Sequence, residues 1–124
     1  MIRVLVAEDH HLVRQGIVKL LEGESDLQVV GEADNGREAL RLIESLQPDV
    51  VVLDISMPQL GGLETLAELS GRQPKPRMVI LSMHADPGLV RQALRAGVLG
   101  YVVKQSVADE LLAAVRAAHK GACT

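Results

Sequence analysis

Tryptophan and phenylalanine are absent from this chain, and Tyr101 is its single tyrosine. A core must therefore be assembled from Val, Leu, Ile, Ala and Met, and a flat cofactor such as a flavin has little to stack on. Cys123 is the only cysteine. No intrachain disulfide can form, the thiol reads as an exposed one near the chain end, and a reducing cytoplasm is the natural compartment. No apolar run approaches the ~20 residues of a membrane span, and MIRVLVAEDH lacks the long apolar region and small-residue cleavage site of a signal peptide. With a net charge of −3 and acids and bases interleaved, no basic patch is present for gripping DNA. Neither GxxxxGK[ST] nor a GxGxxG after the first apolar run occurs, so the chain has no nucleotide cradle.

What the chain does have is enough apolar material for one core. Hydrophobic residues make up 48% of its 124 residues and charged residues 23%, which predicts one globular domain over 1–124 without repeats, linkers or low-complexity segments. Short β-branched runs alternate with longer helical patterns. Strands are predicted at Ile2–Ala7, Leu27–Ala33, Val50–Leu53, Met78–Ser82 and Gly100–Val103. Between them, Leu12, Val13, Ile17, Leu20 and Leu21 recur at helical spacing over His11–Leu21, and Ala39, Leu40, Ile43 and Leu46 do so after Asp34-Asn35-Gly36, with Pro48 as the stop. Gly61-Gly62 opens a helix carrying Leu63, Leu66, Ala67 and Leu69, and GRQPKP is a loop by its Gly and Pro content. A fourth helix spans Pro87–Ala96 with Gly97 capping it. Ser106 is expected to cap the last, with Asp109 completing a capping box and Leu111, Leu112, Val115 and Ala118 on the buried face. Five βα units with near-continuous apolar strands predict a doubly wound five-stranded parallel sheet, helices on both faces, of the flavodoxin-like class.

In such sheets, ligands bind beyond the carboxyl ends of the strands. Those ends carry Glu8-Asp9, Asp54, Ser82 and Lys104, while Asp34-Asn35 follows the second strand, expected at the edge. Converging carboxylates repel, and each pKa rises unless a cation joins them. A hard divalent ion held by oxygen ligands, Mg²⁺ above all, resolves that repulsion. Ser82 then offers a hydrogen bond and Lys104 a positive charge for phosphoryl oxygens. With no cradle for a nucleotide, the phosphoryl group must come from elsewhere, and Asp54 is the carboxylate nucleophile placed to accept it.

The order VLVAEDH, VVVLDISMP, GG, VILSMHAD and GYVVKQS resembles the receiver domains of two-component response regulators across essentially the whole chain. DHHLVRQGI and GYVVK are most similar to the NarL/FixJ (LuxR-type) branch. The resemblance implies the CheY-like form of the fold and phosphoryl acceptance on Asp54 from a sensor histidine kinase. It also implies Mg²⁺ on Asp9, Asp54 and the backbone carbonyl of Ser56, with Glu8 acting through a metal-bound water. Lys104 and Ser82 would hold the phosphoryl group, and Ser82 with Tyr101 would form the conformational switch. A homodimer is an implied assembly. DNA would be reached only through a further domain absent from this chain, for transcription regulation in the cytoplasm and away from membranes. Gln105 stands where many receivers have proline after the lysine, which puts the shape of that loop in question.

Other readings fare worse on the same residues. An aspartyl-nucleophile Mg²⁺ phosphatase wants a general acid two residues after Asp54, where Ser56 stands, and a cap insertion this length does not accommodate. His10 and His11 have no His or Cys partners for a transition-metal site and are placed at the surface or rim. His84 lies two residues past Ser82, near the site mouth, where an influence on water access is the less favoured reading, and His119 is read as solvated. Met57-Pro58 and Gly61-Gly62 are read as loop shape beside the site.

Overall fold

The computed structural model describes residues 1–55, 62–69, 76–83 and 86–121. Ser56, Met57-Pro58, Gly61, most of the GRQPKP loop, His84 and Cys123 lie outside them. Five parallel strands, β1 (Ile2–Ala7), β2 (Leu27–Ala33), β3 (Val50–Asp54), β4 (Arg77–Ser82) and β5 (Gly100–Val103), form one sheet in the order β2-β1-β3-β4-β5. Helices α1 (His11–Glu22), α2 (Gly36–Leu46), α3 (Gly62–Leu69), α4 (Pro87–Arg95) and α5 (Val107–His119) connect or follow them. The predicted fold class is the observed one, and Asp34-Asn35 does follow an edge strand.

Two aliphatic cores sandwich the sheet, divided by strand periodicity. Val4, Val6, Val50, Val52, Val79, Leu81 and Val102 face α1 and α5, where Ile17, Leu21, Leu111 and Val115 close the layer. Leu5, Ala7, Val51, Leu53, Met78 and Ile80 face the other way, onto Ala39 and Ile43 of α2 and Ala93 of α4. Because both faces of β3 are covered, Val50 through Asp54 are all buried, which is why its apolar run shows no alternation. Gly31 of β2 is closely packed: a Cβ there would come within 2.9 Å of a Leu46 methyl and 3.1 Å of a Leu5 methyl, which would have to give way.

Helix boundaries follow local chemistry, with corrections to the sequence reading. Asn35 caps α2 by accepting the Glu38 backbone N–H at 2.9 Å. Asp86 caps α4 in the same way through the Gly88 and Leu89 N–H groups. Gly97, at φ 91°, ends α4 in the left-handed conformation that favours glycine. Ser106 makes no side-chain cap bond. A short 3₁₀ turn over Lys104–Ser106 runs straight into α5 instead, giving the Gln105 loop its shape. In α1 the buried residues are Ile17, Val18 and Leu21. Leu12 is 85% exposed and Val13 is also exposed, so the apolar period in that first turn does not mark core. In α3, Thr65 is buried and Ala67 is exposed, so Ala67 does not belong to the buried stripe expected there; the Leu63, Leu66 and Leu69 side chains lie outside the described ones.

Candidate functional site

The strand order reverses between β1 and β3, and the crevice at that switch point opens at the carboxyl ends of the strands. Side-chain alternation determines which residues enter it. Glu8 is next in the row of Val4 and Val6, Asp54 in the row of Val50 and Val52, and Lys104 follows Val102. All three belong to the rows facing α1 and α5: Glu8 and Asp54 come from the ends of the neighbouring β1 and β3, and Lys104 reaches them from the end of β5, with β4 between.

They meet closely. Lys104 Nζ stands 2.8 Å from Glu8 Oε1 and donates to Asp54 Oδ2 at 3.1 Å. Glu8 and Asp54 are fully buried, and the lysine side chain is 10% exposed. The contact with Glu8 Oε1 is an ion pair by distance but lacks hydrogen-bond geometry, which leaves that buried oxygen without a hydrogen bond among the described residues. Glu8 Oε2 accepts the His10 backbone N–H at 3.1 Å. The Arg14 guanidinium, laid across from α1, donates to the Glu8 carbonyl at 2.7 Å and to Glu32 at 3.1 Å.

One ammonium among converging carboxylates leaves a negative excess. Burial, then the adjoining Asp54 carboxylate, pushes Glu8 up to about 7 from 4.5, against the opposing pull of Lys104 and the His10 N–H. Lys104 is raised as well: burial opposes its charge, but the contacts with Glu8 and Asp54 outweigh it. Asp9 sits at the rim beside them, and Glu8, Asp9 and His10 each bring one ligand atom within 4.8 Å of the others. Buried carboxylates, an oxygen without a hydrogen bond and an acid at the mouth make a donor set that fits a hard divalent cation.

Ser82 ends β4 and is buried. It is next in the row of Met78 and Ile80, and pairs across the ladder with Val103. Tyr101 is half-buried against that same α2/α4-side core. The sheet therefore separates the sequence-derived residues into a charged trio on one side and a hydroxyl–aromatic pair on the other. The N-cap position of α1 is taken by His10, which makes no side-chain cap bond. Two neighbours of the site escaped the sequence reading. Arg14 shows itself only as one of several arginines, and its reach to the Glu8 carbonyl depends on the angle of α1. His10 occupies the expected rim position, but its approach to both acids was not legible from spacing.

Comparison with known proteins identifies the family. The family model described as the response regulator receiver domain matches residues 4–116. The transcriptional regulatory protein LiaR of Bacillus subtilis strain 168 is 39% identical over 121 residues, covering 98% of this chain and 57% of that protein. The transcriptional regulatory protein UhpA of Escherichia coli strain K12 is 46% identical over 124 residues, covering 99% and 61%. Among solved structures, the signal receiver domain of the response regulator NarL from Mycobacterium tuberculosis superposes with a TM-score of 0.91 at 39% identity, covering 97% of each chain. The chain thus spans under two thirds of the full-length relatives and nearly all of an isolated receiver. It belongs to the response regulator receiver domain family, in its NarL/LuxR-type branch.

Proposed function

We propose that Asp54 accepts a phosphoryl group from the phosphohistidine of a sensor histidine kinase, and that the resulting aspartyl phosphate switches the conformation of this domain. In the transfer, an Asp54 carboxylate oxygen forms a bond to phosphorus while the P–N bond to the donor histidine breaks. The imidazole keeps the electron pair and takes up a proton. The observation that carries this reading is the Lys104 ammonium bridging Glu8 and buried Asp54. On this reading that cation offers charge to an incoming phosphoryl oxygen, and the transfer would exchange its carboxylate partners for phosphoryl oxygens. Asp9, Asp54 and the Ser56 backbone carbonyl would hold Mg²⁺, with Glu8 reaching it through a water. When bound, the ion neutralises charge on the transferring group.

Ser82 would then donate its hydroxyl proton to a phosphoryl oxygen, and Tyr101, packed on the same side of the sheet, would reorient in response. Signalling rather than substrate turnover is supported by relatives named as transcriptional regulators. On this reading DNA is reached through a further domain, a homodimer is one assembly open to the domain, the compartment is the cytoplasm, and 1–124 is the receiver unit. Among the described residues no helix is long and apolar enough to cross a membrane.

Incubation with acetyl phosphate tests the acceptor. One base-labile phosphoryl group should appear on the chain with Mg²⁺ and none without it, and Asp54→Asn should abolish it. Full labelling of Asp54→Asn would move the acceptor elsewhere.

A further inference from the structure

Each guanidinium nitrogen of Arg14 has a fixed partner. Nη1 donates to the Glu8 carbonyl at 2.7 Å, and Nε donates to Glu32 Oε1 at 3.1 Å. Nη2 stands 3.2 Å from His11 Nδ1, which accepts, because a guanidinium offers only donors. The side chain is 15% exposed. One planar group thus ties α1 to the edge strand β2 and to the chain as it leaves β1. Its charge meets Glu32, and toward the site it presents a hydrogen bond to a backbone carbonyl.

That carbonyl opens the peptide unit leading into Asp9. Among the described residues no hydrogen bond holds the Asp9 carboxylate, and His10 Nδ1, at 3.8 Å from Oδ1, is beyond hydrogen-bond reach. The direction of the carboxylate is therefore set by the two peptide units that flank the residue. Arg14 anchors the one before it at the Glu8 carbonyl. The one after it is anchored at the His10 N–H, which donates to Glu8 Oε2 at 3.1 Å. With Arg14 removed, only the second anchor remains.

We infer that Arg14 is a positioning residue for Asp9: by fixing the Glu8–Asp9 peptide it aims the rim carboxylate into the site, and its planar fork rather than its charge is what the position requires. Mg²⁺ demands near-ideal geometry from its oxygen ligands, so an acid that wanders at the rim binds it poorly. Lysine would keep the charge but lacks the fork that holds a carbonyl and Glu32 at once. The inference rests on the proposal that Asp9 and Asp54 hold Mg²⁺ for phosphoryl acceptance on Asp54.

The test is calorimetric titration with Mg²⁺ of the 124-residue chain, of Arg14→Gln, Arg14→Lys and Asp9→Asn, and of Arg14→Gln combined with Asp9→Asn. Both Arg14 variants should bind Mg²⁺ on the order of tenfold more weakly, as loss of a group that orients a ligand does. Labelling by acetyl phosphate should show the same change as a higher Mg²⁺ requirement, with the rate recovering at saturating Mg²⁺. When Asp9 is already Asn, Arg14→Gln should weaken binding by no more than about a further twofold, because its route to the ion is gone. General damage to the fold would instead cost the same in either background, so an undiminished loss in the double variant overturns the inference. Wild-type affinity in Arg14→Lys assigns the effect to charge and overturns it too. If Arg14→Gln does not fold, Arg14→Lys takes its place in the cycle. Weakened Mg²⁺ binding by Asp9→Asn with none in the Arg14 variants sinks the positioning role and leaves the metal site standing. Equal Mg²⁺ binding by wild type and Asp9→Asn fails the metal site, and the role of Arg14 with it.

Discussion

Lys104 Nζ donates to Asp54 Oδ2 at 3.1 Å across 50 residues of sequence, and the same ammonium is 2.8 Å from Glu8 Oε1. Removing the ammonium as Lys104→Met should leave two buried carboxylates facing each other. The expected loss is on the order of 3 kcal/mol at pH 8 without metal. It should shrink near pH 6, where Glu8 takes up a proton. Urea unfolding of wild type and variant at the two pH values measures both effects. Equal stability at pH 8 would show that the bridge is replaceable by solvent.

Glu8 gives the metal-free domain an inverted pH response. Its carboxyl is raised in the folded state, to about 7 from 4.5, so the folded state binds the extra proton. Its contribution is complete below about pH 4.5 and is lost as pH rises through 7, amounting to at most about 3 kcal/mol. Denaturant midpoints should therefore fall between pH 5 and pH 8 in the absence of divalent ions. Glu8→Gln should flatten that slope, and saturating Mg²⁺ should raise stability most at the alkaline end, because it binds only the folded state. A slope untouched by Glu8→Gln would assign it to other groups.

Tyr101 is the only tyrosine, and tryptophan is absent, so intrinsic fluorescence reports one ring. Adding beryllofluoride with Mg²⁺, which mimics the phosphoryl group, should change that emission if the ring moves as the switch requires. Asp54→Asn and Ser82→Ala should each reduce the response. Confirmed binding with unaltered emission would make Tyr101 a bystander.

The first turn of α1 separates periodicity from burial. Leu12→Ser should change stability by no more than about 0.5 kcal/mol, since the residue is exposed. Ile17→Ala, emptying a buried position, should cost about 2 to 5 kcal/mol. Thermal or chemical unfolding of both variants decides it, and a large loss for Leu12→Ser would place that residue in a packed environment.

Those two leucine-like positions show where the sequence stops being legible. Strands β3 and β4 are legible as unbroken apolar runs, Val50–Leu53 and Met78–Leu81, because a parallel strand covered on both faces is buried on both. Asp54, Glu8 and Lys104 could be placed at strand ends for the same reason. Their mutual contact then follows from alternation along the neighbouring β1 and β3, and from the reach of Lys104 past β4 from the end of β5. Helices are harder to read. An apolar residue at helical spacing can sit in an end turn that overhangs the sheet, as Leu12 does, while Val18 is buried one position off the expected stripe. Caps depend on the incoming backbone: Asn35 caps because it is extended there, whereas Ser106 belongs to a 3₁₀ turn that needs no such bond. The position of His10 against the acids depends on how the chain leaves β1, which no spacing rule encodes.

The two cores flanking the sheet contain no aromatic ring among their buried residues. Near-ultraviolet circular dichroism, the usual witness of fixed side-chain packing, therefore sees almost nothing of this interior. A collapsed state that kept its helices but lost its jigsaw of Val, Leu and Ile would look native to that spectrum and to the far-ultraviolet one. Loosening inside this domain has to be followed through dye binding to newly exposed apolar surface, methyl resonances or amide exchange, all of which sense aliphatic packing directly.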